Sequence, residues 1–300
     1  MAASGIATNR TNIELPAEVA SQIMQKVQED SAVMTLAQQI ALPGRGLVIP
    51  VITSDPEAEW VSETGVKPVK NPGLNKKMMQ GYKLAVIVPF SMEFRRDASA
   101  LYNALVARLP RALAAKFDAT VFHGNAPGSN FDVLSSCTAQ SLTADPYAGL
   151  VAADMDIAAH DGILNGFALS PVGRGVLLAA TDQNKRPLFI NNVSEGAVPV
   201  ILGQRVVQCK AAYAEGDSED VIGVAGDWTQ AMYGIVEGVK IDISEQATLV
   251  TGVTGANPIN LWQQNMFAVR AEIEVGFVAD TNCFNLLTAA PTGATGSTGA

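Results

Sequence analysis

The sequence predicts an α+β fold, on three observations. Tyr82, Leu84, Val86, Val88 and Phe90 alternate with other residues, the two-residue period of a strand with one buried face. Leu101, Leu105, Leu109, Leu113, Phe117 and Val121 then recur every four residues, the stripe of a long helix. The last third is rich in strand-forming runs, at Val221 to Ala225, Ala231 to Glu237, Val239 to Ser244 and Phe267 to Phe277.

In chain order, Pro16 to Val27 reads as a helix, with Pro16 in its first turn. Ser31 caps a second short helix carrying Val33, Leu36, Ala37 and Ile40. Leu47 to Ile52 is a strand, and Pro50 assigns it to an edge. A short apolar piece surrounds Trp60. Ser62 to Gln80 reads as a loop in which Lys67, Lys70, Lys76 and Lys77 face the single acid Glu63. Flanked by strands, it is expected either to project as a hairpin toward an acidic neighbour or to be a solvated loop. Ser91 is expected to cap the long helix, Pro110 to kink or divide it, and Gly124 to end it.

Beyond it, Tyr147 to Leu164 is expected to be helical, Phe167 to Ser170 a strand and Val176 to Thr181 a helix. Val198 to Leu202 and Arg205 to Gln208 read as strands joined by a Gly-Gln turn, and Glu215 to Asp220 as a solvated acidic loop. Thr251 to Asn260 forms turns. The tail, residues 291–300, is low in complexity and expected to be disordered.

Composition narrows the function. The chain has 300 residues, formal net charge -9 and only 16% charged residues. A negative balance argues against nucleic-acid binding by electrostatics, and a charge-poor surface suits a protein that hides much of it against partners. The sequence shows no apolar run of membrane-spanning length and no signal-peptide layout, which together with scattered Cys137, Cys209 and Cys283 points to a reducing cytoplasm.

Catalytic motifs are weak. Asp156 and His160 share a helix face beside Asp154 and Asp161, but the other histidine, His123, ends a different helix. Gly173-Arg174-Gly175 lacks the third glycine of a dinucleotide loop, with Leu178 in its place. No Walker loop or nucleophile elbow is present. No catalytic, cofactor-binding or metal residues are assigned.

Several phrases, in order, are similar to the major capsid proteins of tailed phages with the HK97-type fold. They are Ala58-Glu59-Trp60-Val61-Ser62-Glu63, Val88-Pro89-Phe90-Ser91-Met92-Glu93, and Phe117-Asp118-Ala119-Thr120-Val121-Phe122-His123-Gly124. Gly166-Phe167-Ala168-Leu169-Ser170-Pro171, Gly226-Asp227-Trp228 and Asn265-Met266-Phe267-Ala268-Val269-Arg270-Ala271-Glu272 follow.

The resemblance implies an N-terminal arm (1–41), an extended β-hairpin loop with its flanking strands (42–90), and a peripheral domain with a spine helix (91–146). An axial domain (147–225) and the peripheral return strands (226–290) complete it. It implies homo-oligomers, hexamers and pentamers that close an icosahedral shell around phage double-stranded DNA in the virion, assembled in the host cytoplasm. A portal, a separate scaffold and room for a decoration protein come with it, with no membrane and no sequence-specific DNA contact. Trp60, Glu63, Lys67, Lys70, Lys76, Lys77, Arg95 and Arg96 are the expected inter-subunit contacts. The alternative is an encapsulin-like nanocompartment enclosing a cargo enzyme. A third reading is a cytoplasmic enzyme using Asp156 and His160.

Overall fold

The computed structural model describes residues 31–54, 59–61, 67, 69, 73–92, 98–181, 186, 188, 200–251 and 257–291. The expected helix at 16–27 lies outside them, as does the tail beyond Pro291.

Ser31 caps helix α1 (Ala32–Leu36), its hydroxyl accepting from the Met34 amide. The helix stops before Ile40, which lies in strand β1 (Gln38–Ala41), where pairing with a neighbouring strand overrides the helical spacing. Strands β2 (Leu47–Ser54) and β3 (Gly73–Met79) form an antiparallel two-stranded hairpin. The segment read as loop is thus a strand from Gly73 onward. Its sequence, GLNKKMM, lacks alternation, and pairing with β2 holds it as a strand.

Strand β4 (Tyr82–Ser91) keeps the expected alternation. Ser91 belongs to it and pairs with Met266, so it does not cap helix α2, which spans Ala98–His123. That helix, about 39 Å long, runs unbroken past Pro110. A proline inside a helix costs about 3 kcal/mol, and the buried stripe Leu109, Leu113, Phe117 and Val121 offsets that cost.

The remaining elements are β5 (Thr138–Ser141), α3 (Pro146–Ala159), β6 (Gly166–Leu169), α4 (Pro171–Ala179), β7 (Val200–Ile201) and β8 (Gln204–Gln208). After them come β9 (Asp220–Gly226), β10 (Ala231–Ser244), β11 (Thr248–Thr251), β12 (Asn257–Asn260), β13 (Met266–Ala279) and β14 (Phe284–Ala289). Helix α3 ends five residues before the expected Leu164, at a His160 cap. Helix α4 begins earlier than expected because Ser170 and Pro171 supply a cap and a first turn. The turn between β7 and β8 is Leu202-Gly203, both at positive φ, not Gly-Gln. The two segments expected at Ala231 to Ser244 are one strand carrying register shifts. The sequence does not mark strands β1, β5, β11, β12 and β14, which are short or, like β14, apolar on both faces.

Two sheets organise the body, a four-stranded one in the order β1-β10-β13-β4 and a six-stranded one in the order β5-β14-β9-β6-β8-β7. Helix α2 packs its apolar stripe on the first, against Leu84, Val86 and Val88 of β4 and Val269, Ile273 and Phe277 of β13. Helices α3 and α4 bury Leu150, Ile157 and Leu177 over the second.

Besides passing from β4 to β5 through α2, the chain makes two tight crossings between the sheets, at Trp228–Gln230 and Thr281–Cys283. Each crossing is a single 3-10 turn capped by an aspartate, Asp227 or Asp280. The two turns bond each other, Asp227 N to Cys283 O at 3.0 Å and Asp280 N to Gln230 O at 3.2 Å. Trp228 fills the junction, edge-on to Phe284 at 5.2 Å and to Phe122 at 6.4 Å, and donates its indole N–H to the Gly166 carbonyl.

Candidate assembly surfaces

The β2–β3 hairpin is rooted in a dent in the four-stranded sheet. Gly234 and Gly276 pair across β10 and β13, and a Cβ on either would press on Leu42 and Met79. Leu42 and Met79 fill that space and are buried with Val278. A second tie is polar. The Lys77 ammonium lies 2.6 Å from the Asp132 carboxylate and donates to the Ala279 carbonyl at 2.7 Å. Asp132 also accepts from the Ala279 amide. The Asn130 side chain reaches Gln80, and its amide donates to the Tyr82 hydroxyl.

The residues selected from sequence divide accordingly. Trp60 is fully exposed. Lys67 and Lys76 are exposed, and Lys77 is engaged within its own subunit. Glu63, Lys70, Arg95 and Arg96 lie outside the described residues. Among the exposed apolar groups that sequence reasoning passes over are Val250 on β11 and Trp262 just after β12. An isolated tryptophan in a turn-forming stretch is the signal that could have found the second.

Other candidates resolve into local structure. The His160 ring bonds the backbone carbonyl of Asp156 at 2.9 Å, closing the helix end and not pairing with the carboxylate. His123 is bonded to the Ala211 carbonyl. Among the described residues no group of three or more His, Cys, Asp or Glu could hold a metal. Burial pushes the Cys137 and Cys209 thiols up to about 12 and Cys283 to about 11, so all three are protonated and unreactive at neutral pH.

The acidic loop is not simply solvated. Asp220 is buried and accepts from the Tyr213 hydroxyl. Glu219 accepts from the hydroxyls of Ser141, Thr288 and Thr143 at 2.6, 2.6 and 2.8 Å, tying β5, β9 and β14 together. Those hydroxyls hold its carboxyl below the ordinary glutamate value. A depressed folded value means that the stabilisation exists above the unfolded value and is lost as pH falls through the folded one. Glu219→Ala is expected to lower the subunit's melting temperature at neutral pH and to match the native chain in strong acid. Equal melting at neutral pH would discard the tie.

The phage capsid family model matches residues 12–288. A relative described as a probable major capsid protein, from Mycobacterium phage D29, is 29% identical over 286 residues, covering 91% of this chain and 89% of its own. A solved chain from Mycobacterium phage Adephagia superposes with TM-score 0.70 at 19% identity, covering 87% of this chain and 91% of that one. One from Mycobacterium phage Bobi does so at 0.69 and 18%, covering 97% and 95%. A capsid chain of an empty GTA particle also superposes, with TM-score 0.64 at 14% identity, covering 87% of this chain and 90% of that one. The helix-and-sheet body has the HK97-like fold that the sequence phrases resemble. With the family model spanning nearly its whole length, the chain belongs to the phage capsid family.

Proposed function

We propose that this chain is the major capsid protein of a tailed phage, assembling as hexamers and pentamers into an icosahedral shell around double-stranded DNA. The family match over residues 12–288 carries the reading. Its role is structural and not catalytic. Residues 1–41 act as the arm and 42–90 as the extended loop with its flanking strands. Helix α2 is the spine, resting on the four-stranded peripheral sheet, to which residues 226–279 return. The six-stranded sheet serves as the axial domain, recruiting β5 and β14 from outside 147–225. A portal, a separate scaffold and, where one exists, a decoration protein are its partners. Assembly takes place in the host cytoplasm. An acidic subunit of net charge -9 contacts packaged DNA weakly and without sequence preference.

The hairpin is the principal inter-subunit arm. A two-stranded hairpin alone is marginal in water, and this one is tied to its own subunit's core at the root, through Leu42 and Met79. Burial against a neighbour stabilises the remainder, with Trp60 as apolar anchor and Lys67, Lys70 and Lys76 facing acidic surface. Each such exposed pair contributes only about 0–1 kcal/mol, so the tryptophan dominates. Glu63, Arg95 and Arg96 belong to the same contact. Lys77 holds the root and sets the hairpin's direction.

Negative-stain electron microscopy tests this. The purified chain, alone or co-expressed with its scaffold, is expected to form closed shells, and Trp60→Ala to reduce their yield sharply. Absence of particles under both conditions would reject the capsid reading. Normal particles from Trp60→Ala would remove the anchor.

A further inference from the structure

The six-stranded sheet ends in β5 on one side and β7 on the other, about 24 Å apart at five strand spacings. The two sides differ in a complementary way. Helix α3 lies over β5 and β14 and buries Gly149, Leu150, Ala153 and Ile157. Its outer side is also apolar, with Tyr147 50% and Met155 68% exposed at helical spacing. Residues 145–161 contain Asp145, Asp154, Asp156 and Asp161 with no Lys or Arg. The acidic loop 215–220 is tied to β5 through Glu219, adding charge of the same sign.

The opposite side presents the β7–β8 turn. Val200 is 50% exposed and Leu202 38%, and Arg205 pairs across the hairpin with Val200. The Arg205 guanidinium donates to the Leu36 carbonyl, an uncharged partner that does not neutralise it. Arg205 is exposed on this hairpin, a cation where the α3 side has none in residues 145–161.

Leu202 sits at φ 49 and Gly203 at φ 80. Such a turn selects asparagine, aspartate or glycine at its first position. A leucine there is locally strained and 38% exposed. Strain of this kind collects at functional contacts.

Resting on the shell-forming reading, we infer that the β7–β8 turn of one copy, led by Leu202, packs on the outer face of α3 of the next copy, at Tyr147 and Met155. Arg205 then faces the acidic side around Asp154. Because the two surfaces differ, the contact is head-to-tail, and a rotation that closes makes a ring. Self-pairing of either surface would oppose like charges.

The test uses the full chain under its assembling conditions. Leu202→Asp places at positive φ a residue that tolerates it, so the unassembled subunit should melt no lower than the native chain. It should nonetheless lose most of its rings and particles, since a carboxylate then meets the acidic face. Met155→Lys alone is expected to lose assembly as well. The double variant, which brings the introduced carboxylate and the introduced ammonium together at each contact, should recover it. Normal assembly by a folded Leu202→Asp subunit, or no recovery in a folded double variant, would overturn the inference. Failure of the unsubstituted chain to assemble would overturn the capsid reading along with it.

Discussion

Asp118→Leu is expected to destabilise the subunit by about 3 kcal/mol, from the backbone donors it leaves without an acceptor. Asp118 is buried in α2 and accepts from the Ser31 hydroxyl at 2.6 Å, the Ala32 amide at 2.8 Å and the Val33 amide at 3.3 Å. The Cys209 thiol donates to it as well. One carboxylate thereby joins the start of α1, the spine helix and the segment after β8. Burial raises its folded value, against the lowering by these hydrogen bonds. A raised folded value means that stability falls as pH rises from the unfolded 3.8 through the folded value, the opposite of Glu219. The net cost of ionisation is accepted because the α1 amides need an acceptor. Chemical denaturation of the unassembled subunit reads the loss, and proteolysis near residues 31–37 should appear first. An unchanged denaturation midpoint would show that the clasp is dispensable.

Trp228→Ala is expected to cost about 3–5 kcal/mol, the range for truncating a buried large aromatic. The indole is 1% exposed and touches both tight crossings between the sheets. Its removal leaves a cavity beside Phe122 and Phe284 and loses the hydrogen bond to the Gly166 carbonyl. Trp228→Phe loses the hydrogen bond but keeps much of the packing volume, so it should fall between. Urea unfolding of the three proteins checks the order. Equal loss from Phe and Ala would assign the effect to the hydrogen bond rather than to packing.

Legibility followed periodicity. The alternation at Tyr82 to Phe90 and the four-residue stripe ending at Val121 each state their period in the residues, and both elements formed. Ser31 likewise capped a helix as a serine before an apolar run should. Strand β3 was hidden because GLNKKMM has neither period, and β14 because FNLLTA is buried on both faces. Ser91 offered a plausible cap, yet pairing with Met266 drew it into the sheet.

The candidate contacts show the same division. Residue type suggested Trp60 as an anchor, and it is exposed. Four lysines of one charge looked equivalent in the sequence, but only the fold brings Asp132 and the Ala279 carbonyl to Lys77. Leu202 carried no signal of its own, since an apolar residue beside turn formers reads as core until its surroundings are known.

By itself the sequence determined the α+β class, the spine helix and the capsid phrases, because each depends on residues close along the chain. The tertiary structure alone decided which strands share a sheet, where the chain crosses between the sheets, and which charges are already paired. Those outcomes depend on groups as far apart as Lys77 and Ala279, 202 residues along the chain, whose meeting no local pattern records.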